Sequence, residues 1–121
     1  MTEAIRTGGC QCGAIRYAVK GTPKGASICH CRMCQKAGGA PFMAFAGVRL
    51  HEFEIVRGEI ATFRSSDVAE RGFCAQCGTP LTYRILGRDR IGFTLGSLDR
   101  PEGVPPTEQL GIESRLPWFE G

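Results

Sequence analysis

Apolar and polar positions alternate along residues 14–20: Ile15, Tyr17 and Val19 fall on one face, Arg16, Ala18 and Lys20 on the other. A period of two is the mark of a half-buried strand. Residues 42–48 are apolar on both faces and predict a buried strand. Residues 53–57 and 60–65 predict two short strands, with Gly58-Glu59 as a hairpin turn between them. Residues 79–86 and 91–95 bracket Gly87-Arg88-Asp89-Arg90 and predict a second hairpin. A helical period is confined to residues 31–37, where Gly38-Gly39 would stop it. Residues 98–106 carry Pro101, Pro105 and Pro106 and predict an irregular excursion. The aromatic tail, residues 112–119, is expected to pack back on the body. The pattern predicts an all-β protein: a small, antiparallel, sandwich-like fold with one short helix. Residues 1–121 are one domain's length, and no repeat divides them.

Composition narrows the functions open to such a fold. The chain is 42% apolar and 22% charged, as a globular domain should be. A net charge of +3, with no lysine or arginine run, speaks against nucleic acid and licenses only a weak preference for small anions. No stretch is long and apolar enough to span a bilayer. Residues 1–7 include Glu3 and Arg6 and no apolar core of a signal peptide, so the expected compartment is the cytoplasm, where thiols stay reduced. Seven cysteines then need a purpose other than disulfides, and an odd number cannot pair completely within one chain.

The cysteines form three clusters: Cys10-Gln11-Cys12, Cys29-His30-Cys31-Arg32-Met33-Cys34 and Cys74-Ala75-Gln76-Cys77. In an extended C-x-C both side chains point the same way, and in C-x-x-C a tight turn converges both sulfurs. A structural zinc takes four ligands in a tetrahedron. The simplest division gives Cys10, Cys12, Cys74 and Cys77 one such site, closing a loop of more than sixty residues. Cys29, Cys31 and Cys34 remain as a local trio, one ligand short, which is the pattern of a catalytic metal. In an alternative division two of the trio join Cys10 and Cys12, and Cys74 and Cys77 do redox work. In another, His30 completes the trio as a purely structural site. His30 lies between two ligands in extended chain, so its side chain should point away from them and act behind the ligands or towards a substrate. His51 reads as a surface or loop residue.

Ligand type constrains the chemistry. Three thiolates give a zinc ion a formal charge of −1 and make it a poorer Lewis acid than three histidines would. Such a site suits capture of a fourth thiol as a nucleophilic thiolate better than hydrolysis. A helix opening at residues 31–34 would add a favourable dipole. The expected chemistry is addition of a thiol to a carbonyl, or the reverse cleavage of a carbon–sulfur bond.

The stretches GGCQCGAIRY (residues 8–17), CHCRMCQKAGGAPF (29–42), RGFCAQCGTPLTYR (71–84), GSLDRP (96–101) and SRLPW (114–118) resemble, in order, the glutathione-dependent formaldehyde-activating enzyme family, which includes centromere protein V-like proteins. The resemblance spans nearly the whole chain. It implies a zinc-stabilised complex β-fold with two zinc ions per chain: a structural one on Cys10, Cys12, Cys74 and Cys77, and a catalytic, more labile one on Cys29, Cys31 and Cys34. It also implies a glutathione-like thiol and an aldehyde as small-molecule partners, and formation of S-hydroxymethylglutathione from formaldehyde. A zinc-binding interaction module without catalysis is the alternative that centromere protein V-like relatives suggest.

Glutathione carries two carboxylates, so Arg32, Lys36, Arg71 and Arg115 are candidate cations for its pocket, set against the plainer reading of each as a solvated surface charge. Phe42, Phe45 and Phe73 read as core. Trp118 reads as packing on the core, with closure of a cleft as the alternative.

Overall fold

A computed structural model describes residues 5–120. Residues 1–4 of the stretch read for a signal peptide, residues 1–7, lie outside the described residues. Ten strands and one helix follow in chain order: β1 (Arg6–Gly9), β2 (Arg16–Val19), β3 (Lys24–Cys29), α1 (Arg32–Gly38), β4 (Met43–Val48), β5 (Phe53–Arg57), β6 (Ala61–Arg64), β7 (Ala69–Phe73), β8 (Pro80–Ile85), β9 (Ile91–Thr94) and β10 (Glu108–Leu110). They form a three-stranded sheet, β1-β2-β5, and a seven-stranded sheet, β10-β3-β4-β9-β8-β7-β6. The fold is the expected all-β one with a single short helix. Every pairing is antiparallel except β10 on β3, which is parallel.

The alternation read in residues 14–20 places the core. Ile15, just before β2, and Tyr17 and Val19 of the smaller sheet are buried against Ala46, Val48 and Phe93 of the larger. The Tyr17 ring stacks on Phe53 at 5.0 Å between centroids and meets Phe93 at 6.3 Å. Tyr17 is fully buried, and its hydroxyl donates to Ser97 Oγ (2.6 Å), which in turn donates to the Thr94 carbonyl (2.9 Å). Burial of the ring pushes the phenol up to about 12, so it remains a donor. β4 is apolar on both faces because both are used. Ala46 and Val48 enter the core, and Met43 lies on the other face beneath α1, where a Cβ on Gly38 would collide with its side chain.

Three expectations need correction. β5 and β6 are not a hairpin: β5 pairs with β2 and β6 with β7, so the chain changes sheets between them. Gly58 is needed there not for a hairpin but for contact, since a Cβ at its φ of +79° would strike the Ala14 carbonyl. Cys10 and Cys12 are not extended either, but sit on a turn that ends at Gly13 with φ +81°. The tail does fold back through Phe119, whose ring packs edge-on against His30 (4.8 Å) and Phe42 (5.2 Å). Trp118 itself does not join the core and is 66% exposed. The β8–β9 hairpin and the Gly39 helix stop are as expected, with Gly39 in the left-handed region (φ 62°). Residues 98–106 hold a single 3-10 turn at Pro101–Gly103. No helix among the described residues is long and apolar enough to cross a membrane.

Candidate metal centres

Two knuckles face one another. In the first, the Cys10 N–H donates to the Ile15 carbonyl (3.1 Å) and the Gly13 N–H to the Cys10 carbonyl (3.2 Å). In the second, the Cys74 N–H donates to the Thr79 carbonyl (3.0 Å) and the Gly78 N–H to the Cys74 carbonyl (2.8 Å). Each turn finishes on a left-handed glycine, Gly13 or Gly78, and each folds its two sulfurs inward. The Sγ atoms of Cys10, Cys12, Cys74 and Cys77 all lie within 4.8 Å of one another. Cys10 and Cys12 are 3.6 Å apart, Cys12 and Cys74 3.8 Å. Four sulfurs about 2.3 Å from a tetrahedral zinc stand about 3.8 Å apart, so this set fits the ion.

Donors already aim at the sulfurs. The Ile15 N–H reaches Cys10 Sγ at 3.2 Å and the Gln76 N–H reaches Cys74 Sγ at 3.4 Å. The Thr79 hydroxyl lies 3.2 Å from Cys77 Sγ. That hydroxyl, with backbone N–H groups, pulls the Cys77 thiol down to about 5. Burial opposes ionisation of Cys10, but the Ile15 N–H and the Cys12 and Cys74 thiols together outweigh it and the thiol is lowered. Cys12 has the Ala14 N–H acting to lower it, yet the neighbouring thiols push it up to about 11. The cluster therefore favours ionisation at two sulfurs and resists it at a third, a conflict that a divalent cation would relieve.

The trio is built on the junction of β3 and α1. Cys29 ends β3, Cys31 is the helix N-cap and Cys34 lies in the first turn. The Cys34 N–H donates to Cys31 Sγ (3.4 Å), Cys29 and Cys31 sulfurs are 3.4 Å apart, and all three lie within 4.8 Å of one another. No fourth histidine, cysteine or carboxylate joins them among the described residues. His30 points away, as its position between two converging cysteines required. It is fully buried, with Nε2 2.8 Å from Gln109 Oε1, and so faces no substrate. The Cys31 thiol is opposed by burial but lowered by the Cys34 N–H, whereas burial and Cys29 push Cys34 up to about 12 against the pull of Arg71. This set also fits a metal ion, held from one side only.

The open side is a cavity of about 330 Å³ lined by the trio with Met33, Phe45, Ser66, Arg71, Tyr83 and Leu110. Phe45 is thus a wall of the site rather than core, and Phe73 lines a neighbouring cavity. Of the four candidate cations only Arg71 lines this cavity. Its guanidinium lies over the Tyr83 ring at 4.8 Å and its Nη2 is 3.6 Å from Cys34 Sγ. Arg32 instead donates to Gln35 one turn along the helix. Tyr83 and Thr79 escaped the sequence reading; Thr79, two residues after Cys77, could have been suspected from spacing, and Tyr83 only from the β7–β8 register.

The tail completes the site. β10 pairs with β3 so that Leu110 lies beside Cys29, and the His30 N–H donates to the Leu110 carbonyl (2.9 Å). Gln35 Nε2 donates to the His30 carbonyl (2.7 Å) and the Ser114 carbonyl (3.1 Å), tying helix, trio and tail together.

Comparison with known proteins places this geometry. The family model described as "Glutathione-dependent formaldehyde-activating enzyme" matches residues 5–114. A Schizosaccharomyces pombe protein named as an uncharacterised lyase is 39% identical over 80 residues, which cover 63% of this chain and 55% of that protein. The chain therefore spans about half the length of this curated relative. The crystal structure of a Rhodobacter sphaeroides protein superposes with a TM-score of 0.68 at 22% identity, covering 85% of this chain and 98% of the other, a likeness of fold. With the match running from β1 to beyond β10 and taking in all seven cysteines, the chain belongs to the glutathione-dependent formaldehyde-activating enzyme family.

Proposed function

We propose that residues 1–121 form one zinc-binding unit, a carbon–sulfur lyase or synthase acting on a thiol–aldehyde adduct. The pair named by its family is glutathione and formaldehyde, giving S-hydroxymethylglutathione. The observation that carries this reading is the one-sided trio, whose three sulfurs open on a 330 Å³ cavity. In the other centre all four ligands converge. A zinc ion held by Cys29, Cys31 and Cys34 would supply a soft cationic centre that keeps an incoming thiol ionised.

The chain's own residues do the rest. The Cys34 N–H and the Arg71 guanidinium hold two of the sulfurs, and Arg71 adds positive charge where a further thiolate would arrive. Phe45 and Leu110 give the cavity apolar walls. In the synthetic direction the thiol sulfur attacks the carbonyl carbon. The carbon–sulfur bond forms, the carbon–oxygen π bond breaks, and the thiol's proton ends on oxygen, with no net oxidation. Free cysteines suit a reducing compartment such as the cytoplasm.

The test is metal analysis together with two substitutions. Two zinc ions per chain are expected. Cys31→Ser should leave a folded protein that no longer forms the adduct, and Cys74→Ser should unfold it. If Cys31→Ser unfolds the chain as badly as Cys74→Ser, the trio is structural and a zinc-binding interaction module is the better reading.

A further inference from the structure

The larger sheet carries a transverse row of residues in register. Lys24 of β3 pairs with Gly47 of β4, Gly47 with Gly92 of β9, Gly92 with Tyr83 of β8, and Tyr83 with Arg71 of β7. Directly opposed residues share a face. The second and third of its five positions are glycines, so the row has no side chain of its own there. A glycine inside a strand weakens the sheet, and one use of it is close approach by a ligand. Here two stand side by side in the interior of a seven-stranded sheet.

The bare strip is the floor of a cavity of about 310 Å³ next to the trio's. The two cavities share Phe45, Tyr83 and Gly92 as walls. Lys24, Arg88 and Arg90 line the second one, with no aspartate or glutamate among its lining residues. Arg88 and Arg90 come from the β8–β9 turn, and the Arg90 guanidinium occupies the space over Gly47 that a Cβ would need. Asp89, between them, is turned outward to Arg49, at 3.3 Å. The cations are thus left facing the trough.

We infer that this trough is a carboxylate subsite, in which Lys24, Arg88 and Arg90 hold the acidic end of a thiol whose sulfur lies at the trio. The inference rests on the thiol reading above and specifies its ligand. From the register, Lys24 and Cys29 are separated by four residue steps measured along β4, about 13 Å at 3.3 Å per step. Less the reach of the cationic side chains, that distance matches roughly two to three extended residues. The ligand is a thiol of small-peptide size with a carboxylate at the far end. Arg71, at the sulfur end of the row, is left to the trio.

The experiment titrates the cobalt-substituted full chain with glutathione and with glutathione diethyl ester, reading the thiolate-to-cobalt absorption. Glutathione should bind about tenfold more tightly than the diester, by the attraction of one to two carboxylates in a partly screened site. A triple variant, Lys24→Gln with Arg88→Gln and Arg90→Gln, should lose that preference while its affinity for the diester is unchanged. A control, Lys36→Gln with Arg115→Gln, should keep it. A preference that survives the triple variant, or none in the original protein, overturns the subsite while leaving the thiol reading intact. If neither thiol changes the cobalt spectrum, the thiol reading falls, and the subsite with it.

Discussion

Arg71 does two things with one side chain. Stacked on Tyr83, its guanidinium is fixed in direction, and from there it faces Cys34 Sγ. A charged donor on a thiolate contributes more than a neutral one, and here it also offsets the surplus negative charge of three sulfurs. Arg71→Met should therefore weaken metal binding at the trio by about tenfold in competition with a chelator, at the low end for a charge-assisted bond because the site is half open. Arg71→Lys should recover part of the loss, and the thermal midpoint should barely move in either variant. Asp99 shows the same chemistry away from the site. Arg16 grips both its oxygens (3.0 and 2.5 Å) and the Thr7 hydroxyl donates at 2.6 Å, holding the carboxyl at about 2 instead of 3.8. A lowered folded-state value means that the stabilisation is complete above about pH 4 and is lost as pH falls towards 2. The pair is half exposed, so its contribution is under about 1 kcal/mol. Asp99→Asn should lower stability by that amount at pH 7 and by nothing near pH 2, as urea titrations at the two pH values would show.

At the scale of elements, the strands and chemistry written in local patterns were legible and those made by distant pairing were not. β2, β4, β8 and β9 carry alternation or continuous apolar runs, and the sequence shows them. β7 reads Ala-Glu-Arg-Gly-Phe, polar at its centre because Arg71 is wanted at the site, and its pattern hides it. β3 is interrupted by a bulge between Lys24 and Ser27, which breaks its period. β10 is three exposed residues whose strand pairing is parallel, to β3, and nothing in Glu-Gln-Leu announces that. The cysteine clusters were legible because spacing alone converges their sulfurs; the cavity beside them was not, because Tyr83, Phe45 and Leu110 meet only through register. β10 also supplies Gln109, which fixes the buried ring of His30 between two trio ligands. Gln109→Leu should leave that ring without its side-chain partner. We expect a loss of about 2 kcal/mol in urea unfolding, the cost of a buried polar group left unpaired, with no change in the four-cysteine centre.

For the molecule as a whole, the two centres differ in what they hold. The first joins turns 62 residues apart, Cys12 to Cys74, and so clamps the small sheet to the large one. The second lies within six residues and joins nothing distant. On the zinc reading, a graded chelator should strip the metals in two steps. The first step should abolish thiol binding with no change in far-ultraviolet circular dichroism, and the second should remove the fold. Loss of both metals and of the fold in one step would contradict this division. The parallel pairing of β10 on β3 has a consequence for biosynthesis. As the chain leaves the ribosome, Cys77, the last cysteine of the first centre, emerges about thirty residues ahead of Gln109 and Leu110. The wall and backing of the trio, Leu110 and Gln109, come out only after that clamp is complete. A nascent chain can be clamped before the trio's pocket exists, so a chain that stops between β9 and β10 would keep the clamp and lack a finished site.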